Sequence, residues 1–195
     1  MSKITFEKPG NFIYPVPAVL VSCADKEGNK NIITIAWTGT ICSDPPMAYI
    51  SVRKERHSYD MIKETGEFVI NLPSEELVRA VDYCGCTSGL KVDKFKKMNL
   101  TAGKSSKISA PSIEEAPVSI ECKVTRIVPL GTHDMFMVEV LAINVDEKYI
   151  DEKGSFHMDD VKLLAYSHGE YYSLGKKLGK FGWSVKKKKK NTKKK

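Results

Sequence analysis

Residues 18–42 read AVLVSCADKEGNKNIITIAWTGTIC, which is an apolar run, a polar turn and a second apolar run. The first run, residues 18–24, is long enough and apolar enough to predict a buried strand. Residues 25–29 contain the Asp, Gly and Asn that favour a tight hairpin turn. Residues 31–42 are rich in β-branched side chains and predict the return strand. The stretch therefore predicts an antiparallel hairpin.

Similar short strands continue on the C-terminal side of this hairpin. Strands are predicted at residues 47–52, 67–72, 118–125 and 135–145, and helices at residues 58–66, 74–84 and within 91–98. Helices do not alternate regularly with the strands, so a doubly wound parallel sheet is not expected. Antiparallel hairpins with a few helices favour a closed or half-closed barrel, because closure removes unpaired sheet edges. The predicted fold class is mainly β with a few helices.

The composition is that of a globular protein. The 195 residues are 42% hydrophobic and 28% charged, and the length suits one ordinary to large domain. No apolar stretch approaches the ~20 residues of a membrane span. Residues 1–9 lack the apolar segment of a signal peptide. The five cysteines, an odd number, point to free thiols in a reducing cytoplasm.

The net charge of +7 is concentrated at the C-terminus. Residues 186–195 read KKKKKNTKKK, so eight of the 31 basic residues lie there, which leaves 23 basic against 24 acidic residues elsewhere. We therefore predict a single domain over residues 1–185 and a disordered lysine-rich tail over residues 186–195. Such a tail is compatible with contact to nucleic acid, anionic lipid or an acidic partner. A solvated tail without a dedicated partner is the favoured interpretation.

The strongest local candidate for a ligand site is the passage SVRKERHS from Ser51 to Ser58. A strand ends there and a helix begins at Ser58, so free N–H groups and a partial positive charge favour a phosphate. Arg53, Arg56 and the Ser58 hydroxyl are candidate donors to that phosphate. On these residues alone the alternative is slightly favoured, in which Ser58 only caps its helix and the cations face solvent.

Trp37 is a second candidate, because the strand backbone around it and the amide of Asn31 are suited to the edge of a flat ring. A core tryptophan is the favoured alternative on composition alone. The sequence contains neither the G-x-G-x-x-G nor the G-x-x-x-x-G-K-[ST] phosphate motif. Cys84 and Cys86 do not form a C-x-x-C pair and the histidines lack ligand spacing, so no metal site is predicted.

Several further motifs follow one another in a distinctive order. They are N-x(5)-W at residues 31–37, DPPMAYISV at 44–52, R-x-S at 56–58, EFVINLP at 67–73, CGCTSG at 84–89, VDKF at 92–95, GTHDMF at 131–136, and Tyr166, Gly169, Tyr171 and Tyr172. Their combination, over roughly residues 15–175, resembles the flavin reductase-like FMN-binding family. Within that family the chain is most similar to the branch of flavoredoxins and ferric or flavin reductases.

The resemblance implies a split β-barrel with a Greek-key arrangement, non-covalently bound FMN and a homodimer with FMN near its interface. The implied FMN contacts are Asn31, Ala36, Trp37, Thr38, Arg56, Ser58, Lys94, His133 and Tyr166. In this interpretation Arg56 and Ser58 hold the phosphate while Lys94 adds charge. Backbone at residues 36 and 38 faces the isoalloxazine ring. His133 is also the candidate catalytic residue, beside the flavin or an incoming nicotinamide.

The implied activity is that of a flavin-dependent oxidoreductase, which takes hydride from NAD(P)H onto FMN and passes electrons to free flavin, a ferric chelate or a protein. The alternative is a flavoredoxin-type electron-transfer protein without NAD(P)H reductase activity of its own. A third interpretation, a nucleic-acid-binding module built on the lysine-rich tail, is disfavoured by the near-neutral charge of the remaining chain.

Overall fold

A computed structural model describes residues 1–186; residues 187–195, which hold most of the predicted tail, lie outside the described residues. The strands are β1 (Val16–Pro17), β2 (Val19–Ala24), β3 (Lys30–Ile35), β4 (Thr38–Cys42), β5 (Met47–Arg53), β6 (Glu67–Leu72), β7 (Ala102–Gly103), β8 (Ser112–Ile113), β9 (Val118–Pro129), β10 (His133–Val145), β11 (Leu164–Ser167) and β12 (Glu170–Ser173). The helices are α1 (His57–Thr65), α2 (Val78–Cys86) and α3 (Lys94–Lys97), with 3-10 turns at Glu75–Leu77, Glu147–Tyr149, Met158–Asp160 and Trp183–Val185. Among residues 1–186, no helix is both long enough and apolar enough to cross a membrane.

Seven strands form one antiparallel sheet in the order β3-β2-β6-β9-β10-β5-β4. Its two edge strands, β3 and β4, are consecutive in the chain and are joined only by Ala36 and Trp37. The sheet therefore curls until its first and last strands meet at this corner, which closes it into a barrel. β6 pairs with β2 and β9 rather than with its sequence neighbour β5, as a Greek-key arrangement requires. The prediction of a mainly β barrel is confirmed.

The prediction of one unbroken strand over residues 31–42 was wrong at this corner. β3 ends at Ile35 and β4 begins at Thr38. The Trp37 carbonyl accepts a hydrogen bond from the Ser51 N–H at 2.8 Å, and the Thr38 N–H donates to the Ala36 carbonyl at 3.1 Å. These bonds turn the chain from one edge of the sheet to the other. Local strand propensity does not encode such a constraint, because the Ser51 donor lies on another strand.

Strand β2 is buried along its whole length, as the apolar run predicts. Val19 and Val21 belong to the core cluster inside the barrel, whereas Leu20 packs with residues of α2 and α3 outside it. Burial of both faces explains why the run lacks an alternation of polar and apolar residues. The packing of α2 and α3 against β2 and β3 also places the α2–α3 connection beside the edge strand.

The helix predicted at residues 58–66 is α1, and Gly66 ends it in the left-handed conformation with a φ of 70°. Residues 164–173, which follow the last strand predicted from the sequence, form the hairpin β11–β12. Its two-residue turn is His168–Gly169, with φ values of 50° and 88°. Two successive positive φ values are typical of the tight hairpin turn that matches strand twist. This hairpin pairs with β1 in a separate three-stranded sheet.

A buried carboxylate ties one loop to the barrel. Glu121 on β9 is fully buried and accepts hydrogen bonds at 2.7 Å from the N–H groups of Ser106 and Lys107, and at 2.8 Å from Asn144 Nδ2. Burial opposes ionisation, but the hydrogen bonds prevail and lower the pKa of the Glu121 carboxyl below its ordinary value. The carboxylate therefore stabilises this loop when it is ionised.

We expect Glu121→Gln to lower the free energy of unfolding at neutral pH by about 1–3 kcal/mol, because an amide cannot accept from both N–H groups in the same way. The deficit should shrink as the pH falls through the lowered pKa of the folded state, since the wild-type carboxyl is then protonated too. Urea denaturation at neutral and acidic pH measures both effects. Glu139→Gln, at an exposed position on β10, is the matched control. An equal loss in both variants would contradict this role.

Candidate functional site

The corner at Ala36–Trp37 forms part of the wall of a first cavity, of about 310 Å³. Residues 33–37 line one side of this cavity, and the C-terminal end of α2 lines another. Tyr166 and Tyr171, from the β11–β12 hairpin, add aromatic surface. The first cavity therefore combines aromatic side chains with the main chain of a sheet edge.

The backbone at this edge has hydrogen-bonding capacity to spare. Within the described chain, β3 pairs only with β2, so alternate N–H and C=O groups along β3 point away from its partner. The Tyr166 ring centroid lies 5.6 Å from that of Tyr171 and 6.3 Å from that of Tyr14, which itself lies 6.3 Å from Trp37. A planar polar ring in the first cavity would meet both backbone groups and aromatic surface.

A second cavity, of about 280 Å³, adjoins the first, and Ile33 and Arg56 line both. Its walls are the N-terminal turn of α1, including Ser58, and residues 87–89 of the α2–α3 connection. The first N–H groups of a helix have no partner within the helix and carry partial positive charge. Together with Arg56 and Lys94, this turn suits the second cavity to an anion such as a phosphate.

The prediction that Ser58 caps α1 was wrong. The N-cap residue is Arg56, and Ser58 lies inside the first turn with only 1% of its surface exposed. Its Oγ accepts a hydrogen bond from Asn31 Nδ2 at 2.8 Å, so the hydroxyl hydrogen is left to donate to another group. Gly89 packs so closely on Asn31 that a Cβ there would meet the Asn31 Oδ1 at 2.3 Å. The amide of Asn31 is therefore held firmly against the Ser58 hydroxyl.

Lys94 is only 3% exposed, which is unusual for a lysine in a short surface helix. Its Nζ donates to the carbonyl oxygens of Ile32 at 2.7 Å and Cys84 at 2.9 Å, and so ties β3 to the end of α2. Burial lowers the pKa of Lys94, with Arg56 acting in the same direction and the Cys84 thiol against it. Burial also raises the pKa of Cys84 to about 11, so this cysteine is a protonated thiol at neutral pH.

His133 on β10 pairs across the sheet with Arg53 on β5, and both line the first cavity. Burial lowers the pKa of His133, and the positive charges of Arg53 and Arg56 lower it further. The imidazole is therefore neutral at pH 7, and Thr132 Oγ1 lies 2.9 Å from its Nδ1. His133 is thus a hydrogen-bonding group rather than a cation, while Arg53 supplies the positive charge beside it.

A third cavity, of about 670 Å³, adjoins the first on another side. Trp37, Arg53 and His133 line both of these cavities. N-terminal residues 10–13 form another part of the third cavity's wall. The first and third cavities therefore share a wall that includes Trp37 and His133.

In comparison with known proteins, residues 11–175 match the family described as Flavin reductase like domain. The chain belongs to this family. Flavoredoxin of Desulfovibrio vulgaris (Miyazaki F) is similar in structure, with a TM-score of 0.87 and 32% identity over 94% of this chain and 100% of that one. Flavoredoxin from Methanosarcina acetivorans has a TM-score of 0.84 and 28% identity over 95% and 100% of the two chains. An uncharacterized protein of Archaeoglobus fulgidus is 33% identical over 73% of this chain and 79% of its own length.

Membership of the flavin reductase-like family confirms the resemblance inferred from the motifs, and the structural neighbours confirm the split-barrel fold class. Membership of this family also indicates a flavin-related redox role. Eight of the nine predicted flavin contacts line the cavities that such a role would use. Ala36, Trp37, His133 and Tyr166 line the first cavity, Asn31, Ser58 and Lys94 line the second, and Arg56 lines both. Their contacts with a flavin stay predictions.

Thr38 is the exception among these residues, because it lines none of the three cavities. Its N–H is bonded to Ala36, and its hydroxyl donates to the Tyr49 carbonyl at 2.6 Å. The cavity residues that were not predicted as contacts include Tyr171 and Gly89. For Gly89 the signal was present in the CGCTSG motif, since a glycine there admits the side chain of Asn31. Tyr171 belongs to the terminal motif with Tyr166 and Gly169, although no flavin contact was predicted for it.

We expect Lys94→Met to lower the free energy of unfolding of the flavin-free protein by about 1–3 kcal/mol, because two buried carbonyl groups lose their donor. Lys96→Met, at an exposed position of the same helix, should change it by less than about 0.5 kcal/mol. Urea denaturation measures both values. If the Lys94 variant were as stable as the Lys96 variant, Lys94 would not be the tie between β3 and α2.

Proposed function

We propose that the chain binds FMN non-covalently and acts as an oxidoreductase, taking hydride from NAD(P)H and passing electrons to a small acceptor or a redox protein. The observation that carries this proposal is the junction of two cavities of different chemistry. One offers aromatic side chains and sheet-edge backbone, and the other offers cations and helix N–H groups. FMN has matching chemistry at its two ends, a flat polar ring and a phosphate.

The first cavity fits the ring end of FMN. Unpaired backbone groups of β3 match the hydrogen-bonding edge of the isoalloxazine, and Trp37 and Tyr166 supply apolar contact. The strand holds its backbone in place through β2, so these groups need little reorganisation on binding. This arrangement requires no separate nucleotide-binding domain.

The second cavity fits the phosphate end. Arg56 lines both cavities and so stands where the ring end and the phosphate end would meet. The Ser58 hydroxyl is oriented by Asn31 and retains a hydrogen to donate. Lys94 uses two of its three hydrogens on main-chain carbonyls, which leaves one for the phosphate. The groups proposed to bind the phosphate are therefore already held in place by the fold.

A flavin, when bound, supplies the hydride and electron transfer, so the protein contributes position, access and electrostatics. Neutral His133 can hydrogen-bond to either reactant at the boundary between the first and third cavities. Arg53, beside it, favours negative charge in the same space. The third cavity gives a second reactant room against the wall that the flavin site shares.

The second candidate function is that of a flavoredoxin-type electron carrier without NAD(P)H reductase activity of its own. The two flavoredoxin structures, at 32% and 28% identity, favour it. The flavin site serves both functions equally, so the electron donor distinguishes them. For either function we propose that the protein is a homodimer and is located in the cytoplasm.

We expect Ser58→Ala to raise the Kd for FMN about 10- to 100-fold, because it removes a phosphate partner worth about 1–3 kcal/mol. The Kd for riboflavin should change little, since riboflavin has the ring but lacks the phosphate. Quenching of flavin fluorescence on titration measures both constants. A parallel loss of affinity for both ligands would place Ser58 outside the phosphate site.

We expect the purified protein to show flavin absorption that bleaches when NADH or NADPH is added without oxygen. An anaerobic visible spectrum recorded before and after addition tests this directly. Absorption that resists both nucleotides but bleaches with dithionite would favour the electron carrier. A colourless protein that takes up no added FMN would overturn both candidate functions.

A further inference from the structure

An acidic residue occupies an inward-facing position of strand β10. Asp134, Phe136 and Val138 are buried and alternate with half-buried residues, so they share the face of the strand that points into the barrel. Phe136 and Val138 belong to the core cluster inside the barrel, and only 4% of Asp134 is exposed. A carboxylate at such a position is costly unless it is paired. The position of Asp134 therefore requires a partner within the fold.

That partner is Tyr59, in the first turn of α1. Its hydroxyl donates to Asp134 Oδ2 at 2.7 Å, and its ring packs edge-on against Phe136 with the centroids 5.5 Å apart. The hydrogen bond to Asp134, together with burial, raises the pKa of Tyr59 to about 12, so the hydroxyl keeps its proton at neutral pH. The other oxygen of Asp134, Oδ1, lies 3.5 Å from Lys54 Nζ and accepts no hydrogen bond from residues 1–186. Within that part of the chain, Tyr59 is thus the donor that holds the carboxylate in place.

The Tyr59–Asp134 pair lies between the two ends of the proposed flavin site. Tyr59 follows Ser58, which lines the second cavity, and Asp134 follows His133, which lines the first and third cavities. On the other side of α1, Asn31 holds Ser58 through its 2.8 Å hydrogen bond. The first turn of α1 is therefore fastened on two sides, to β3 through Ser58 and to β10 through Tyr59.

We propose that Tyr59 and Asp134 are positioning residues for flavin binding. Their hydrogen bond fixes the first turn of α1, with the groups proposed to bind the phosphate, relative to His133 in the wall of the first cavity. Neither Tyr59 nor Asp134 lines any of the three cavities, so each acts through its neighbour in the chain. Groups held in place before binding lose less freedom when the ligand arrives. This role rests on the proposed function, because it presupposes a ligand with a phosphate.

A pair that only stabilises the fold would affect binding in a different way. A loss of stability lowers the fraction of folded protein, which weakens the apparent affinity for every ligand by the same factor. Displacement of the first turn of α1 weakens the contacts with the phosphate alone. The ratio of the Kd for riboflavin to the Kd for FMN therefore distinguishes positioning from stability.

The test is titration of the full chain with FMN and with riboflavin, followed by flavin fluorescence. Tyr59→Phe keeps the ring against Phe136 and removes the hydroxyl, and we expect it to raise the Kd for FMN about tenfold and that for riboflavin less than about twofold. Asp134→Asn keeps an oxygen that can accept from Tyr59, so its ratio should stay near that of wild type. Thr65→Val is the matched control, because it removes a hydroxyl that donates to the Met61 carbonyl at the opposite end of α1.

The outcomes separate this role from the proposed function. A wild-type protein that binds neither flavin, or does not prefer FMN, would overturn the proposed function and the positioning role together. A wild-type preference for FMN that survives Tyr59→Phe unchanged would overturn the positioning role alone. So would an equal fall of the ratio in Thr65→Val, which would assign the effect to the stability of α1, or in Asp134→Asn, which would assign it to the charge of the carboxylate. Thermal unfolding of each flavin-free variant checks that it is folded.

Discussion

The hydrogen bond from the Ser51 N–H to the Trp37 carbonyl holds the corner on which the barrel and its cavities depend. It ties the turn between β3 and β4 to β5, so a sheet that would otherwise have two distant edges closes on itself. Closure brings the backbone of β3 and the side chain of Trp37 to the wall of the first cavity. Barrel formation and formation of the candidate site are therefore consequences of the same local geometry.

Buried polar side chains connect that corner to the second cavity, whose lining is suited to an anion. Lys94 is nearly inaccessible, and hydrogen bonds to the carbonyl oxygens of Ile32 and Cys84 offset the cost of desolvating its ammonium. The same group stabilises the cavity wall and adds positive charge to it, so stability and ligand binding cannot be separated at this residue. They are also coupled at Ser58, because its hydroxyl joins α1 to β3 through the hydrogen bond from the buried Asn31 side chain.

Features encoded by neighbouring residues could be predicted from the sequence. The first hairpin, α1 and its end at Gly66 are of this kind, because turn and cap chemistry is local. The break at residues 36–37 depends on Ser51, and the burial of Lys94 depends on Ile32, which no window of adjacent residues contains. Family resemblance supplied eight residues that line the first two cavities, since it carries long-range information that periodicity lacks. It did not supply the arrangement of three cavities around Trp37 and His133.

This arrangement limits how the two candidate functions can differ. Trp37 and His133 belong to the wall that the first cavity shares with the third, which residues 10–13 partly enclose. Both cavities open to solvent, and the third, of about 670 Å³, leaves room for a small donor such as a nicotinamide beside the site proposed for the flavin. In the proposed function a hydride donor would therefore occupy the third cavity, and its presence or absence changes none of the residues proposed to contact the flavin. The proposed oxidoreductase and the alternative electron carrier thus need differ only in whether the third cavity accepts a donor.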